Sequence, residues 1–520
     1  MLSNGHAKEK GESTMSETLS IEQDKSQADR MVDLALKKDA FLFKDQYKNP
    51  YIRYLTGSDD VYVTQSLRTG EVRDWLAGLL WDAEKKAPGG EATNSALAVL
   101  RAMANDGPIY PLYNRVAPDG GGGILIDLAN PRWDCIQVTP KGWSIIESII
   151  PVFRRYSHMR NLPMPEKNGD LTKIMDFVNL SDEGDRLLYL VSVISNFIPE
   201  IQHIILVFWG VHGSGKSLAM RAARSICDPS ITDLLTLPRN DRELIQQLFH
   251  HHLGYFDNVS GLPDWASDIF CRASTGTGNT KRALFTDDDD IVYSYRRCIG
   301  INGINIVAHR GDFMDRSLIL ECKMIENSHR VEETKLIEKL EAATPTILGG
   351  ILDVLVKALN IYPTIQLDQL PRMTDFTRWG VAITEALGEK REKFLDAYDK
   401  NIKLQNEEVL KSSLIGTVLT KFMDTMNEDT WEGVPTELYY VLEGVAEGIK
   451  VNLRQKDWPK NAKWMTRRIN EIIPSLTSMG YHVETDLIWI KEPDTKKPQT
   501  LLAPKNYTKR VIRLTRTSRH

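Results

Sequence analysis

The segment with the clearest chemical content is Gly210-Val-His-Gly-Ser-Gly-Lys-Ser217, which satisfies the pattern G-x-x-x-x-G-K-[ST]. Residue types at this spacing suit a phosphate chain. Gly210, Gly213 and Gly215 let the backbone turn its N–H groups inward, and Ser214 adds a hydroxyl. Lys216 places a cation at the β- and γ-phosphates, Ser217 offers its hydroxyl to Mg²⁺, and Leu218 continues the wrap. The ligand expected on this loop is ATP or another nucleoside triphosphate, with Mg²⁺ as cofactor. A phosphate loop also needs an acid at the end of a neighbouring strand, and Leu253-Gly-Tyr-Phe-Asp257 supplies one. Asp257 is expected to hold the Mg²⁺, the alternative being a carboxylate that caps the next turn. Asn302 closes the apolar run Cys298-Ile-Gly-Ile and is expected beside the γ-phosphate and attacking water, or else as a turn residue before Gly303. Arg316 precedes Ser317-Leu-Ile-Leu320, where it either reaches a neighbouring subunit's nucleotide or pairs with Asp312 or Asp315.

These residues need parallel strands ending at one edge of a sheet. Ile204-Ile-Leu-Val-Phe-Trp209 reads as a buried strand running into the loop, Leu218 to Ile226 reads as a helix, and residues 204–325 alternate short apolar strands with helices. Upstream, 1–30 is expected to be a disordered tail, although Gln27 to Phe43 already has helical periodicity. Residues 31–153 read as an N-terminal α/β domain with a hairpin turn at Asp119-Gly-Gly-Gly-Gly123. Pro163-Met-Pro165 and Asn168-Gly-Asp170 mark a boundary before the helical periodicity of a lead-in, 154–203. Residues 326–405 read as a helical lid or bundle.

From 411 to 516 the pattern is three helices and a hairpin, the composition of a winged-helix DNA-binding domain. The second helix is expected to open at Thr436 as N-cap, and the third carries Lys463, Arg467 and Arg468 opposite its apolar face, with Pro474 expected to kink or divide it. Charge agrees. Net charge is −5, but residues 451–520 hold 15 Lys and Arg against 6 Asp and Glu, which puts +9 on this end and −14 on the rest. A basic unit on an acidic body suits a polyanion, here DNA, although protein contact alone remains the alternative.

The order Gly210 to Ser217, Asp257, Asn302, Arg316 resembles the ATPase of superfamily 3 helicases within the AAA+ class. More closely it is similar to the helicase-type ATPases of phages, plasmids and integrated elements, often found beside a primase. Ile136 to Trp143, Phe256 to Pro263, Lys281 to Asp288 and Asp457 to Lys460 share in this resemblance, which extends over roughly residues 40–516. It implies an α/β P-loop NTPase core, a homo-oligomeric and most often hexameric ring, and ATP-dependent DNA unwinding or translocation in replication of a mobile element. Three departures stand against it. Asn258 follows Asp257 where most such helicases place a second acid, and an amide is no general base. The hairpin after Lys281 and Arg282 ends in Thr286-Asp-Asp-Asp-Asp290, whose carboxylates repel phosphates. Residues 1–150 hold no Asp-x-Asp between apolar residues and no Cys cluster, so any primase would be a separate partner. The first two departures favour the alternative, an ATP-switched DNA-binding initiator or loader with little unwinding.

Several classes are excluded. No apolar run reaches the 18 or so residues of a membrane helix, and the N-terminus has no secretory pattern. Five scattered cysteines form no Cys-x-x-Cys pair, which fits a reducing cytoplasm. His250-His-His252 is expected to be structural, with no third ligand in view.

Overall fold

The computed structural model describes residues 25–56, 61–147, 150–180, 182–276, 279–282, 290–293, 295–306, 310–326, 328, 330–368, 370–455, 457–490 and 507–517. The chain begins with helix α1 (Gln27–Lys37), capped by Ser26, whose hydroxyl accepts from the Asp29 N–H. Three residues assigned by sequence to the helix instead begin a strand: Asp39 takes φ 54°, and β1 (Phe41–Lys44) pairs with β2 (Pro50–Thr56), which pairs with β3 (Val61–Ser66). The expected tail is therefore helical from Gln27, and residues 1–24 lie outside the described set. Helices α2 (Gly70–Glu84) and α3 (Gly90–Asp106) cover this sheet, and Met31, Ile52, Leu76 and Leu97 share one core with it.

A second antiparallel sheet follows, β4 (Val116–Pro118), β5 (Ile124–Asp127), β6 (Asp134–Thr139) and β7 (Gly142–Glu147) in sequential order. The Gly-rich turn joins β4 to β5 with Pro118 opposite Ile124, as expected. The expected domain boundary at 153 is not a packing boundary. Ile126, Ile136 and Val138 join the same core as Ile174, Leu188 and Ile351, far along the chain. Trp143 Nε1 donates to Asp353 at 2.8 Å, and Asn360 Nδ2 donates to the Pro140 carbonyl at 2.8 Å.

Helix α4 (Glu183–Ser195) leads into the central sheet, whose strands are β8 (Ile205–Trp209), β9 (Leu253–Phe256), β12 (Cys298–Gly303) and β13 (Ser317–Glu321). The order is β13-β8-β12-β9, and every pairing is parallel. Helices α5 (Lys216–Cys227), α6 (Asp241–His250) and α7 (Asp264–Thr275) lie between these strands, followed by the short α8 (Gly311–Met314). Because helices cover both faces, the strands are continuous apolar runs with no alternation, and Ile205, Val207 and Phe208 are fully buried. Between α7 and β12, β10 (Asn279–Arg282) pairs antiparallel with β11 (Asp290–Tyr293). The expected acidic tip, residues 286–289, lies outside the described residues.

Helices α9 (Glu333–Ile361), α10 (Thr374–Ala386) and α11 (Arg391–Ser412) pack behind the sheet. By length and composition the stretch Glu333–Thr364 is apolar enough to cross a bilayer, against the sequence expectation. It buries Ile347, Leu348, Ile351, Leu352 and Leu355 in the common core, as a central helix of a folded domain does. At Gly349 a Cβ would collide with the Glu166 carbonyl, so glycine here lets the preceding segment lie directly on the helix. Helix α11 runs through 405, where the lid was expected to end. Asn401 exchanges hydrogen bonds with both backbone groups of Ile319, and Gln405 donates to the Ser317 carbonyl at 2.5 Å, sealing the open edge of β13.

The C-terminal unit comprises α12 (Leu414–Thr425), β14 (Thr430–Gly433), α13 (Pro435–Gly448), α14 (Ala462–Ser478), β15 (Tyr481–Ile490) and β16 (Tyr507–Arg516), with antiparallel sheet order β14-β16-β15. Two expectations are corrected here. The N-cap of α13 is Val434 and not Thr436, because Pro435 presets the first helical residue and Glu437 accepts from the Val434 N–H at 3.0 Å. Helix α14 is not divided at Pro474: Pro474 and Asn470, whose carbonyl loses its donor, share the exposed face, where solvent can take the place of the lost bond.

Candidate functional site

The register of the central sheet brings three strand ends together. Asn302 pairs with Phe208 near the end of β8, and Ile301 pairs with Phe256, the residue before Asp257. Ligands of open parallel sheets sit at this carboxyl edge, between β8 and β12, where the connection from β8 runs to β9 on one side and that from β12 to β13 on the other. Residues 210–215 leave β8, and α5 starts at Lys216 with its N-terminus under the loop. Gly210 holds φ 143°, and a Cβ there would strike the Cys322 carbonyl. This position therefore requires glycine.

Beneath the loop, Ser217 Oγ donates to Asp257 Oδ1 at 2.7 Å, and Asn302 Nδ2 donates to the same oxygen at 2.6 Å. The other end of the Asn302 amide accepts from the Asn258 N–H at 2.7 Å. Asn302 is 2% exposed, so its orientation is fixed by these bonds. Asn258 sits at φ 54° with an exposed side chain at the rim of the cavity. Lys216 Nζ donates to the carbonyls of Gly210 at 2.8 Å and Val211 at 2.9 Å and to Ser214 Oγ at 3.2 Å. Burial lowers the Lys216 pKa, an effect opposed by the nearby Cys322 and Asp257. The resulting cavity, about 430 Å³, is walled by the loop, Leu218, Asp257, Asn258 and Asn302.

The sequence did not expose the residues that close this cavity from elsewhere. Asn179 Nδ2 donates to the Ser214 carbonyl at 3.1 Å and to the Lys323 carbonyl at 2.6 Å, tying the loop to the segment after β13. Glu333 and Leu336, at the start of α9, form the opposite wall, and Glu333 pairs with Arg221 of α5. The Arg330 guanidinium lies over Gly213, with Nη2 3.3 Å from where a Cβ would stand. No motif marks any of these, since each acts through tertiary proximity.

Arg316 is not brought into this group. It precedes β13 and therefore lies at the amino edge of the parallel sheet, opposite the loop. Its guanidinium donates to the Asp312 carboxylate and to the Asp312 carbonyl at 2.6 Å, and Arg372 Nη2 lies 2.8 Å from the same carboxylate. Burial raises the Asp312 pKa, but Arg316 and Arg372 outweigh it and hold the carboxyl below its usual range.

On α14, Met465, Ile469, Ile472 and Leu476 face inward, while Lys463, Arg467 and Arg468 are exposed. Glu471 lies 3.6 Å from Arg467 and 3.3 Å from Arg468. Both arginines border a cleft of about 680 Å³ whose other side carries Asp264, Asp268 and Asp312 of the central domain. The histidine run closes α6 rather than forming a strand. His251 Nδ1 faces Arg224 at 2.8 Å, and His252 Nε2 faces the Asn196 carbonyl at 2.8 Å. Among the described residues no group of His, Cys, Asp and Glu could hold a metal ion by itself.

In class, the chain matches replication proteins of mobile elements. Residues 170–405 match the family model of the actinomycete integrative conjugative element replication protein, and residues 415–519 match that of the AICE RepA C-terminal domain. The first match contains the loop, Asp257, Asn302 and Arg316; the second contains α14. No curated protein matches the chain. Among solved structures, the A-form apo structure of the NrS-1 C-terminal region is 12% identical, with 94% of this chain and 98% of that chain covered and a TM-score of 0.39. An apo structure of the same region is 13% identical, with coverage of 95% and 100% and a TM-score of 0.38.

Proposed function

We propose that this replication protein is an ATP-dependent DNA helicase or translocase, with an α/β P-loop NTPase core of the AAA+ superfamily 3 type and a C-terminal winged helix. The observation that carries the reading is the convergence of Ser217, Asp257 and Asn302 beneath a glycine loop at the carboxyl edge of a parallel sheet. The cavity under the glycine loop, with Lys216 and the adjacent hydroxyl and carboxylate, fits a triphosphate with Mg²⁺. Ser217 and Asp257 would hold Mg²⁺, which when bound neutralises charge on the phosphate oxygens. Gly213, Ser214, Gly215 and Leu218 line the triphosphate, and Lys216 exchanges its loop carbonyls for phosphate oxygens. Asn302 holds Asp257 in place beside the γ-phosphate and the attacking water. Arg316, turned away from its own loop, acts on the nucleotide of the next subunit in a homo-oligomeric ring, hexameric by resemblance. Lys463, Arg467 and Arg468 contact DNA phosphates. A separate primase and a cytoplasmic setting complete the proposal; all five cysteines are buried free thiols.

A second reading, an ATP-switched initiator or loader, is favoured by Asn258, an amide where a general base would stand. Strand displacement on forked DNA with ATP separates the two. DNA-stimulated hydrolysis with displacement supports the helicase. ATP binding with DNA retention but no displacement supports the initiator, and no ATP binding overturns both.

A further inference from the structure

Behind α5, on the side away from the phosphate loop, lies a cavity of about 320 Å³ whose wall holds Arg160, Arg221, Arg224 and Ser230. Among the described residues, three buried polar atoms here have no hydrogen-bond partner: Arg221 Nε, Arg224 Nε and Ser230 Oγ. Arg224 is 1% exposed and Ser230 2%. The remaining Arg224 nitrogens are engaged, by the Leu253 carbonyl and by His251 Nδ1, so Nε is the donor left over. Backbone pairing fixes the site: the Arg160 N–H donates to the Pro229 carbonyl at 3.0 Å and the Ile231 N–H to the His158 carbonyl at 2.8 Å, which sets Arg160 beside Ser230. Arg160, Arg221 and Arg224 share this wall with two carboxylates, Asp233 and Glu341; the Arg221 head is paired with Glu333, so Arg221, like Arg224, has its Nε as the unmet donor, and Leu162, Ile337 and Leu340 give the cavity one apolar side.

Unsatisfied buried donors cost free energy unless a ligand meets them, and two guanidinium Nε–H donors with a hydroxyl, beside the Arg160 cation, match the oxygens of a phosphate. We propose that this cavity is a second anion site, which takes a phosphate group, either free or carried on a small organic body that the apolar side accepts. Arg221 borders both cavities through its ion pair with Glu333, so the new site adjoins the first without sharing its loop.

The test is equilibrium dialysis of the full chain with labelled inorganic phosphate and, separately, with a labelled nucleoside monophosphate. Four proteins are compared: the native chain, Lys216→Ala, Arg160→Ala and Ser230→Ala, each with its melting temperature checked. Lys216→Ala is expected to keep saturable phosphate binding. Arg160→Ala should weaken it about tenfold or more, and Ser230→Ala about fivefold. Tighter binding of the monophosphate assigns the apolar side to an organic body; equal binding assigns the site to free phosphate. Absence of saturable binding to Lys216→Ala, or binding unchanged in both other variants, overturns the proposal. Failure of the nucleotide reading gives a different result, with Lys216→Ala matching the native chain in ATP affinity.

Discussion

Asn302 and Asp257 meet at 2.6 Å, amide to carboxylate, across two parallel strands, and the Asn302 oxygen at the same time accepts the backbone N–H that follows Asp257. A buried amide that satisfies both of its ends in this way fixes the carboxylate's direction. Asn302→Ala should therefore lower ATP turnover by about a hundredfold while changing ATP affinity far less. It should also cost about 1–3 kcal/mol of stability, because the Asn258 N–H loses its acceptor. Turnover that falls only in step with melting temperature would reduce Asn302 to a structural residue.

Among the described residues Lys216 hydrogen-bonds only to its own loop, through the Gly210 and Val211 carbonyls and Ser214. Lys216→Ala should leave the melting temperature near that of the native chain and weaken ATP binding roughly 10- to 100-fold, the worth of a charge-assisted bond. Titration with a fluorescent ATP analogue measures this directly. Unaltered affinity and turnover would remove the loop from the nucleotide site.

Arg316 and Lys216 stand at opposite ends of β13 and β8, so one chain cannot use both on one nucleotide. Mixing Arg316→Ala with Lys216→Ala protein should recover part of the hydrolysis that each lacks alone, since some interfaces combine an intact loop with an intact arginine. No recovery in mixtures shown to co-assemble would leave Arg316 as the partner of Asp312.

Burial, followed by the neighbouring His252, pushes the His203 imidazole down to about 3; burial and the Arg224 cation bring His251 to about 3; burial brings His252 to about 4 against the pull of Asp228. The unfolded value is near 6.5. Above that pH both states are neutral and these groups add no pH dependence. As pH falls toward 4 the unfolded chain takes up protons that the folded chain refuses, so stability falls. At pH 5 each such histidine subtracts about 1–2 kcal/mol. Melting temperature should drop between pH 7.5 and pH 5, and less steeply in His252→Gln; a flat profile would contradict this burial.

The central site was legible because its signals are local. A glycine loop after an apolar run, and polar residues closing two further apolar runs, can be read without knowing which strands pair, since parallel strands align their ends. Asn179, Arg330 and Glu333 were not legible, since they reach the loop from other segments and no spacing rule links them. The same reason hid the shared core of β4–β7: alternation shows that Ile126 and Ile136 face inward but not that Ile351 waits there. At Pro474 the helix is not divided because the cost of the proline depends on exposure, which the face of the helix decides.

Arg467 and Arg468 both lean on Glu471, and across the cleft stand Asp264, Asp268 and Asp312, of which Asp268 is paired with Arg310 and Asp312 with Arg316 and Arg372. If they bind DNA, phosphates must outcompete Glu471. Glu471→Gln should then tighten DNA binding at low salt, while Arg467→Ala with Arg468→Ala should weaken it and lower the slope of log affinity against log salt by about two units. Point substitutions are the suitable probe, because α12 to α14 share a core with the central sheet through Val409, Leu410, Ile415 and Ile472, and removing the unit would expose that surface. Fluorescence anisotropy on duplex DNA over a salt series gives both numbers. Should the double variant keep the native slope while Glu471→Gln changes nothing, α14 is a face for the central domain, and DNA must be held elsewhere on the chain.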